Sequence, residues 1–144
     1  MDISNIQSFL KELSENNNRE WFNDNKDRYK AALGEFEEVV GQLIASVGQF
    51  DDSVRLLEPK ECIFRIYKDI RFSKNKEPYK TNMGAYLARG GRKSRFSGYY
   101  AHFEPNGSFV SGGIYMPEPA VLNRVREDID LYYDDLINIT NSPS

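Results

Sequence analysis

Between Arg65 and Asn82 the chain reads RIYKDIRFSKNKEPYKTN, and six of these eighteen residues are Lys or Arg. Arg presents a planar fork of donors and Lys a compact charge on a flexible stem, and both suit phosphate or carboxylate. Tyr67 and Tyr79 add rings that could stack on a base or donate a hydroxyl. A second basic group, Arg89, Arg92, Lys93 and Arg95, follows around Gly90-Gly91. Residues 60–95 hold 11 basic and 3 acidic residues, whereas the rest of the chain holds 8 basic and 19 acidic. The overall charge of −3 therefore hides a basic middle in an acidic protein, which points to a local anion site. The plain alternative is a solvated loop held by Asp69 and Glu77, whose surface ion pairs would each be worth under about 1 kcal/mol. Two carboxylates cannot pair with all of these cations. The residues expected to bind ligand are Arg65, Tyr67, Lys68, Arg71, Lys76, Tyr79 and Lys80. Arg65, Arg71 and Lys80 are expected to converge, with Tyr79 beside them. The expected partner is an anionic, phosphate-bearing small molecule or nucleic acid.

His102 is the only histidine, hence the only side chain whose ordinary titration falls near neutrality. It is the candidate acid/base if the protein is an enzyme acting on a phosphorylated or carboxylated substrate. A relay can be drawn in which Ser111 attacks, His102 takes the proton and Glu104 orients the ring. No nucleophile elbow or oxyanion hole accompanies it. Residues two apart on one strand face are also about 7 Å apart, which puts Glu104 beyond direct reach of His102. A histidine that bonds structurally or touches a ligand is the simpler reading. A third class, a protein-interaction or structural module, stays open.

Other chemistries find little support. One Cys and one His do not make a standard zinc site, and no EF-hand spacing, P-loop or dinucleotide fingerprint occurs. No metal ligand and no cofactor is assigned. Cys62 has no internal disulfide partner and suits a core position in a reducing cytoplasm. No apolar run approaches the roughly 20 residues of a membrane helix, and the start MDISNIQSFLKEL lacks the marks of a signal peptide. The expectation is a cytoplasmic protein without a membrane partner.

The elements that must position these residues follow from periodicity. Ile3, Ile6, Leu10 and Leu13 form one stripe of a helix over 3–14, with Asp2 able to cap it. Asn16, Asn17 and Asn18 break that helix and offer a new cap. A long helix is then expected from about Arg19 to about Val47, on a stripe that includes Phe22, Tyr29, Phe36, Val40 and Leu43. Alternation suggests strands at Cys62–Tyr67, Met83–Arg89, Phe96–Glu104 and Phe109–Met116. Asn106-Gly107 reads as a two-residue hairpin turn, which would set His102 opposite Ser111 and Tyr100 opposite Gly113. Tyr99, Ala101, Phe103, Val110 and Ile114 would face the core, and Tyr100, His102, Glu104, Phe109, Ser111 and Tyr115 the other side. A helix is expected near Pro117-Glu118-Pro119, burying Val121, Leu122, Val125 and Ile129. Residues from Asp130 onward show no clear closing element.

Three blocks of the chain resemble the family called domain of unknown function 2461. They are Asn18-Arg19-Glu20-Trp21-Phe22 with Asn25-Lys26 and Tyr29; Arg65-Ile66-Tyr67-Lys68-Asp69 with Arg71-Phe72-Ser73, Lys76 and Pro78-Tyr79-Lys80-Thr81; and Gly98-Tyr99-Tyr100 with His102, Pro105, Gly112-Gly113 and Pro117. The resemblance spans roughly residues 5–130 and implies a soluble α+β protein, without supplying a function or catalytic residues. It also implies that relatives continue well beyond the position of Ile129, so a chain lacking its C-terminal part is expected.

Together these readings give a single α+β domain over residues 1–144. An antiparallel sheet of three to five strands packs one face on the long N-terminal helix. A further helix follows the last strand. His102 is expected on the other face, in the same cleft as the basic segment.

Overall fold

The computed structural model describes residues 3–143, and these divide after Gly113 into two compact units. Asp2, the expected first cap, lies outside the described residues.

In the first unit, helix α1 spans Ser4–Glu15 and buries Ile6, Phe9, Leu10 and Leu13, the expected stripe with Phe9 added. Asn18 then caps α2 (Arg19–Asp24) by accepting from the Trp21 amide at 2.9 Å. The single long helix expected from Arg19 onward is two helices. Asn25 interrupts it, donating its side-chain amide to Trp21 O at 2.9 Å, and α3 begins at Lys26 and runs to Val47. A short amide side chain that bonds nearby backbone competes with the helical ladder in this way. Helix α3 buries Ala32, Phe36, Val39, Val40 and Ile44. Phe9, Phe22 and Phe36 are at most 1% exposed in the resulting core. Each such side chain contributes roughly 1.5–3 kcal/mol by leaving water.

The expected strand Cys62–Tyr67 is a correction. Pro59 opens a helical turn, α4 (Pro59–Cys62), whose first turn Glu58 and Glu61 close reciprocally as a capping box. The residues after it form only isolated bridges, Ile63 to Ala85 and Tyr67 to Tyr79. Cys62 and Ile66 are nonetheless buried, but the alternation fails between them: Phe64, expected on their side, is only partly buried, and Ile63, expected opposite, packs against the core.

Strands β1 (Met83–Leu87), β2 (Gly98–Phe103) and β3 (Phe109–Gly113) make an antiparallel sheet in that order. The β2–β3 register departs from expectation by two residues: His102 pairs with Phe109, not Ser111, and Tyr100 with Ser111, not Gly113. The cause lies in the turn. Gly107 N reaches Glu104 O, and the Ser108 hydroxyl accepts from Glu104 N at 3.1 Å and donates to Glu104 O at 2.9 Å. These bonds centre the turn on Pro105 and Asn106, one residue earlier than expected, which slips the pairing by two. A slip of two preserves which face each side chain takes. Val110, expected in the core, is 72% exposed, because all of β3 is exposed while β1 is buried throughout.

The second unit consists of α5 (Pro119–Leu131), with Pro119 in its first turn as expected, and α6 (Tyr133–Thr140). The expected burial of Val121, Leu122, Val125 and Ile129 is not observed, since neither helix has a buried residue. Two short helices cannot enclose a core of their own. Helix α6 occupies the stretch for which no element was expected. Among the described residues no helix is long and apolar enough to cross a membrane.

Candidate functional site

Strand parity sorts the first unit's sheet into two faces. Met83, Ala85, Leu87 and Ala101 enter the core. Their alternates Asn82, Gly84, Tyr100 and His102 take the outer face. A row crosses that face: Phe64 donates its amide to Gly84 O at 2.9 Å, Gly84 pairs with His102, and His102 pairs with Phe109. Gly84 has a steric reason to be glycine. A Cβ there would stand 2.7 Å from the Tyr100 hydroxyl, so the phenol lies over bare backbone.

His102 sits at the centre of a polar chain. The Tyr100 hydroxyl is 2.9 Å from Nδ1, and Glu104 Oε2 is 3.3 Å from Nε2. The Asn82 amide nitrogen lies 3.0 Å from Nδ1. That nitrogen also lies 3.3 Å from Nε2 and so does not choose between the two, but a carboxylate only accepts, and the neutral ring that bonds Glu104 carries its proton on Nε2. Nδ1 is then the acceptor, and Tyr100 donates to it. Phe109 stacks on the imidazole at 4.8 Å with the planes 17° apart. His102 thus lies on the outer face, opposite the core residues Ala101 and Met83, as expected.

Two expectations about this relay are corrected. Ser111 faces Tyr100 rather than His102, because of the register. Glu104 does reach His102, because it stands beyond the end of β2, where the chain bends into the turn and two long side chains can lean together.

The basic segment divides. Lys80 is half-buried, with its ammonium over the Phe64 ring at 5.6 Å from the centroid. The far side of the chain meets the same ring, since Tyr100 packs edge-on against Phe64 at 6.4 Å. Burial, and secondarily the positive charge of Arg65, hold the Lys80 amine below the ordinary lysine value. Arg65 is exposed. Among the described residues neither Arg65 nor Lys80 has a salt bridge. Three of the other cations, Lys68, Arg71 and Lys76, are engaged within the loop. Arg71 clamps Asp69 with two contacts, 2.6 and 2.9 Å, and so depresses that carboxyl. Lys68 meets Glu77 at 3.2 Å, and Lys76 donates to Ile70 O at 3.1 Å.

Of the expected trio, Lys80 donates its backbone amide to Ile66 O at 2.8 Å, next to Arg65 in the chain, and Arg71 is tied to Asp69. Tyr79 is in the core, 4% exposed and stacked on Phe22 at 3.9 Å, so its ring offers no face to a ligand. Tyr67 packs 5.5 Å from Tyr79 and 5.8 Å from Phe22, while remaining partly exposed. Asn17 clamps this end of the segment, donating to Tyr79 O at 3.0 Å and accepting from Tyr79 N at 3.2 Å. In the second basic group, Arg92 donates to Lys60 O at 2.6 Å and to Glu61 O at 3.2 Å, satisfying the end of α4. Among the described residues no cluster of three or more His, Cys, Asp or Glu is placed to hold a metal ion.

Sequence reasoning did not single out Phe64, Asn82 and Gly84 as site residues. A glycine inside a strand pattern was the available signal for Gly84, since it marks close approach of another group.

The fold is α+β: helices and a three-stranded antiparallel sheet, with helices after the last strand. The family described as "Conserved hypothetical protein (DUF2461)" matches residues 5–144, and the chain belongs to it. No curated protein and no solved structure matches.

Proposed function

We propose that the outer face binds an anionic ligand, with Arg65 and Lys80 as its principal cations. The observation that carries this reading is the Arg65–Lys80 pair. Two like charges are held near one another, one of them half-buried, and among the described residues neither forms a salt bridge, although Asp69 feels the charge of Arg65. Such an arrangement is costly alone and is relieved by an anion placed between the charges. Lys68, Arg71 and Lys76 already have partners inside the loop, so a small phosphate- or carboxylate-bearing molecule suits the site better than a long nucleic acid.

The test compares thermal unfolding with and without inorganic phosphate, a panel of phosphorylated metabolites and single-stranded oligonucleotides. A small anion should raise the melting temperature of the wild type and not of Lys80→Ala. Its affinity should fall only shallowly with salt, whereas a nucleic acid would show a slope near the number of phosphates neutralised. Equal responses from wild type, Arg65→Ala and Lys80→Ala would overturn the proposal.

A second reading makes the protein an enzyme acting on such an anion, with His102 as acid/base. It is favoured by the Tyr100–His102–Glu104 chain, which fixes one tautomer of the ring. His102→Gln should then cost about 100- to 10,000-fold in turnover while ligand binding persists.

A further inference from the structure

Both nitrogens of the His102 ring are engaged, Nε2 by Glu104 and Nδ1 by Tyr100, with the Asn82 amide nitrogen within 3.3 Å of each, while Phe109 covers a ring face. The imidazole side chain is 15% exposed. The ring is therefore arranged to act on its neighbour rather than directly on a ligand. That neighbour, the Tyr100 phenol, lies over the bare backbone of Gly84 and against the Phe64 ring, which Lys80 also covers. Hydroxyl, base and orienting carboxylate thus follow one another in the order of an activated nucleophile.

We propose, resting on the reading of this face as an anion site, that Tyr100 is its reacting residue, a phenol activated by His102 toward the phosphorus of a phosphate ester. Arg65 and Lys80 hold the ester's anionic oxygens. As the Tyr100 oxygen bonds to phosphorus, its proton passes to Nδ1, and the resulting imidazolium is stabilised by Glu104. The bond from phosphorus to the ester oxygen breaks. The departing oxygen, opposite the phenol, takes a proton from solvent, the imidazolium releases its own proton to solvent, and the phosphoryl group stays on Tyr100. Asn82 holds the ring from the side and takes no proton.

The test needs no knowledge of the natural ester. An aryl sulfonyl fluoride bearing a carboxylate reacts with activated phenols: the oxygen–sulfur bond forms, fluoride leaves, and the phenol proton goes to the base. The whole chain is treated with this probe and the modified residue located by mass spectrometry. Tyr100 should label well ahead of the other tyrosines, of which the chain has nine in all. The rate at Tyr100 should fall about 100-fold in His102→Gln, the size of a general-base contribution. Glu104→Gln, in an exposed turn, is the second variant. It should slow Tyr100 without raising the labelling of Tyr79, which is 4% exposed and gains label only on unfolding. Inorganic phosphate should protect Tyr100 in the wild type and protect it poorly in Lys80→Ala.

Labelling spread evenly over the tyrosines overturns the proposal. So does a Tyr100 rate indifferent to both His102→Gln and Glu104→Gln. If Tyr100 labels fast through His102 yet phosphate neither binds nor protects, the anion site falls and takes the phosphate-ester class with it. If phosphate binds but Tyr100 is unreactive, only the activation falls.

Discussion

The two faces of the sheet in the first unit use the same strands for opposite ends. On the inner face Ala85, Leu87 and Ala101 are at most 2% exposed, and the first two share a cluster with Phe22, Phe36 and Val40. On the outer face, one residue further along each strand, stand Asn82, Tyr100 and His102, joined by hydrogen bonds and only half-buried. The inner face is organised by volume and the outer face by donor and acceptor geometry. A protein needing only stability could have left the outer face to short polar residues. Here it carries the sole histidine, held in one tautomer, with a glycine that leaves room for a phenol.

The contrast breaks most visibly if an inner residue is removed. Phe36 is fully buried and meets Phe103 edge-on at 5.3 Å. Phe36→Ala should destabilise the fold by about 3–5 kcal/mol, through lost transfer energy and the cavity left behind. Chemical denaturation measures this. A loss below about 1 kcal/mol would mean the inner face is not the core.

An outer-face cation should behave in the opposite way. Folding lowers the proton affinity of Lys80, so between its folded value and the ordinary lysine value the unfolded chain holds the extra proton. Stability in that interval therefore rises with pH, and the penalty is present in full at neutral pH. Lys80→Met should raise the neutral-pH unfolding midpoint slightly, lose that advantage above the ordinary lysine range, and weaken binding of the anion. Unfolding curves at neutral pH and near pH 11 would show it. A destabilised Lys80→Met at neutral pH would mean the ammonium has a stabilising partner.

Gly84→Ala sharpens the comparison within one residue. The added methyl meets the far end of the Tyr100 side chain rather than backbone, so the phenol can swing aside. Alanine also removes the entropic cost of a strand glycine, about 0.5–1 kcal/mol. Stability should therefore change little while the Tyr100–His102 bond is lost. Because His102 is the only histidine, its imidazole nitrogen resonances are unambiguous and report that loss directly. Unchanged resonances would mean that Tyr100 does not lie where Gly84 makes room for it.

How much of this could be read from the chain depends on the range of the forces involved. Helix α1, the Asn18 cap, and strands β1 to β3 are legible because periodicity and capping act over a few residues. Face assignment survived a wrong register, since a slip of two leaves parity intact. The misread parts depended on neighbours distant in sequence or on competition at a boundary. Pro59 and its capping box took Cys62 into a helical turn. Tyr79 looked like a ligand contact by its basic surroundings, yet Phe22, far back in the chain, claims its ring. Arg71 looked free because composition counts charges and does not show that Asp69 clamps one of them. The Phe64 ring that joins Lys80 to Tyr100 was not expected, because it depends on where two distant segments meet.

The smallest expected effect tests where the inner face ends. Val110 takes the core-facing side of β3 by parity and pairs with the buried Ala101, yet it is 72% exposed. Val110→Thr keeps the branched shape and the strand preference, so it reports burial almost alone. At an exposed position it should change stability by no more than about 0.5 kcal/mol. The matched control is Val40→Thr on α3, where the valine is fully buried. There the new hydroxyl must lose water, and the cost should reach about 1–3 kcal/mol unless it bonds a helix carbonyl. Urea denaturation of both variants gives the ratio. A Val110→Thr cost equal to that of Val40→Thr would mean that β3 is covered in solution and that the inner face extends across all three strands.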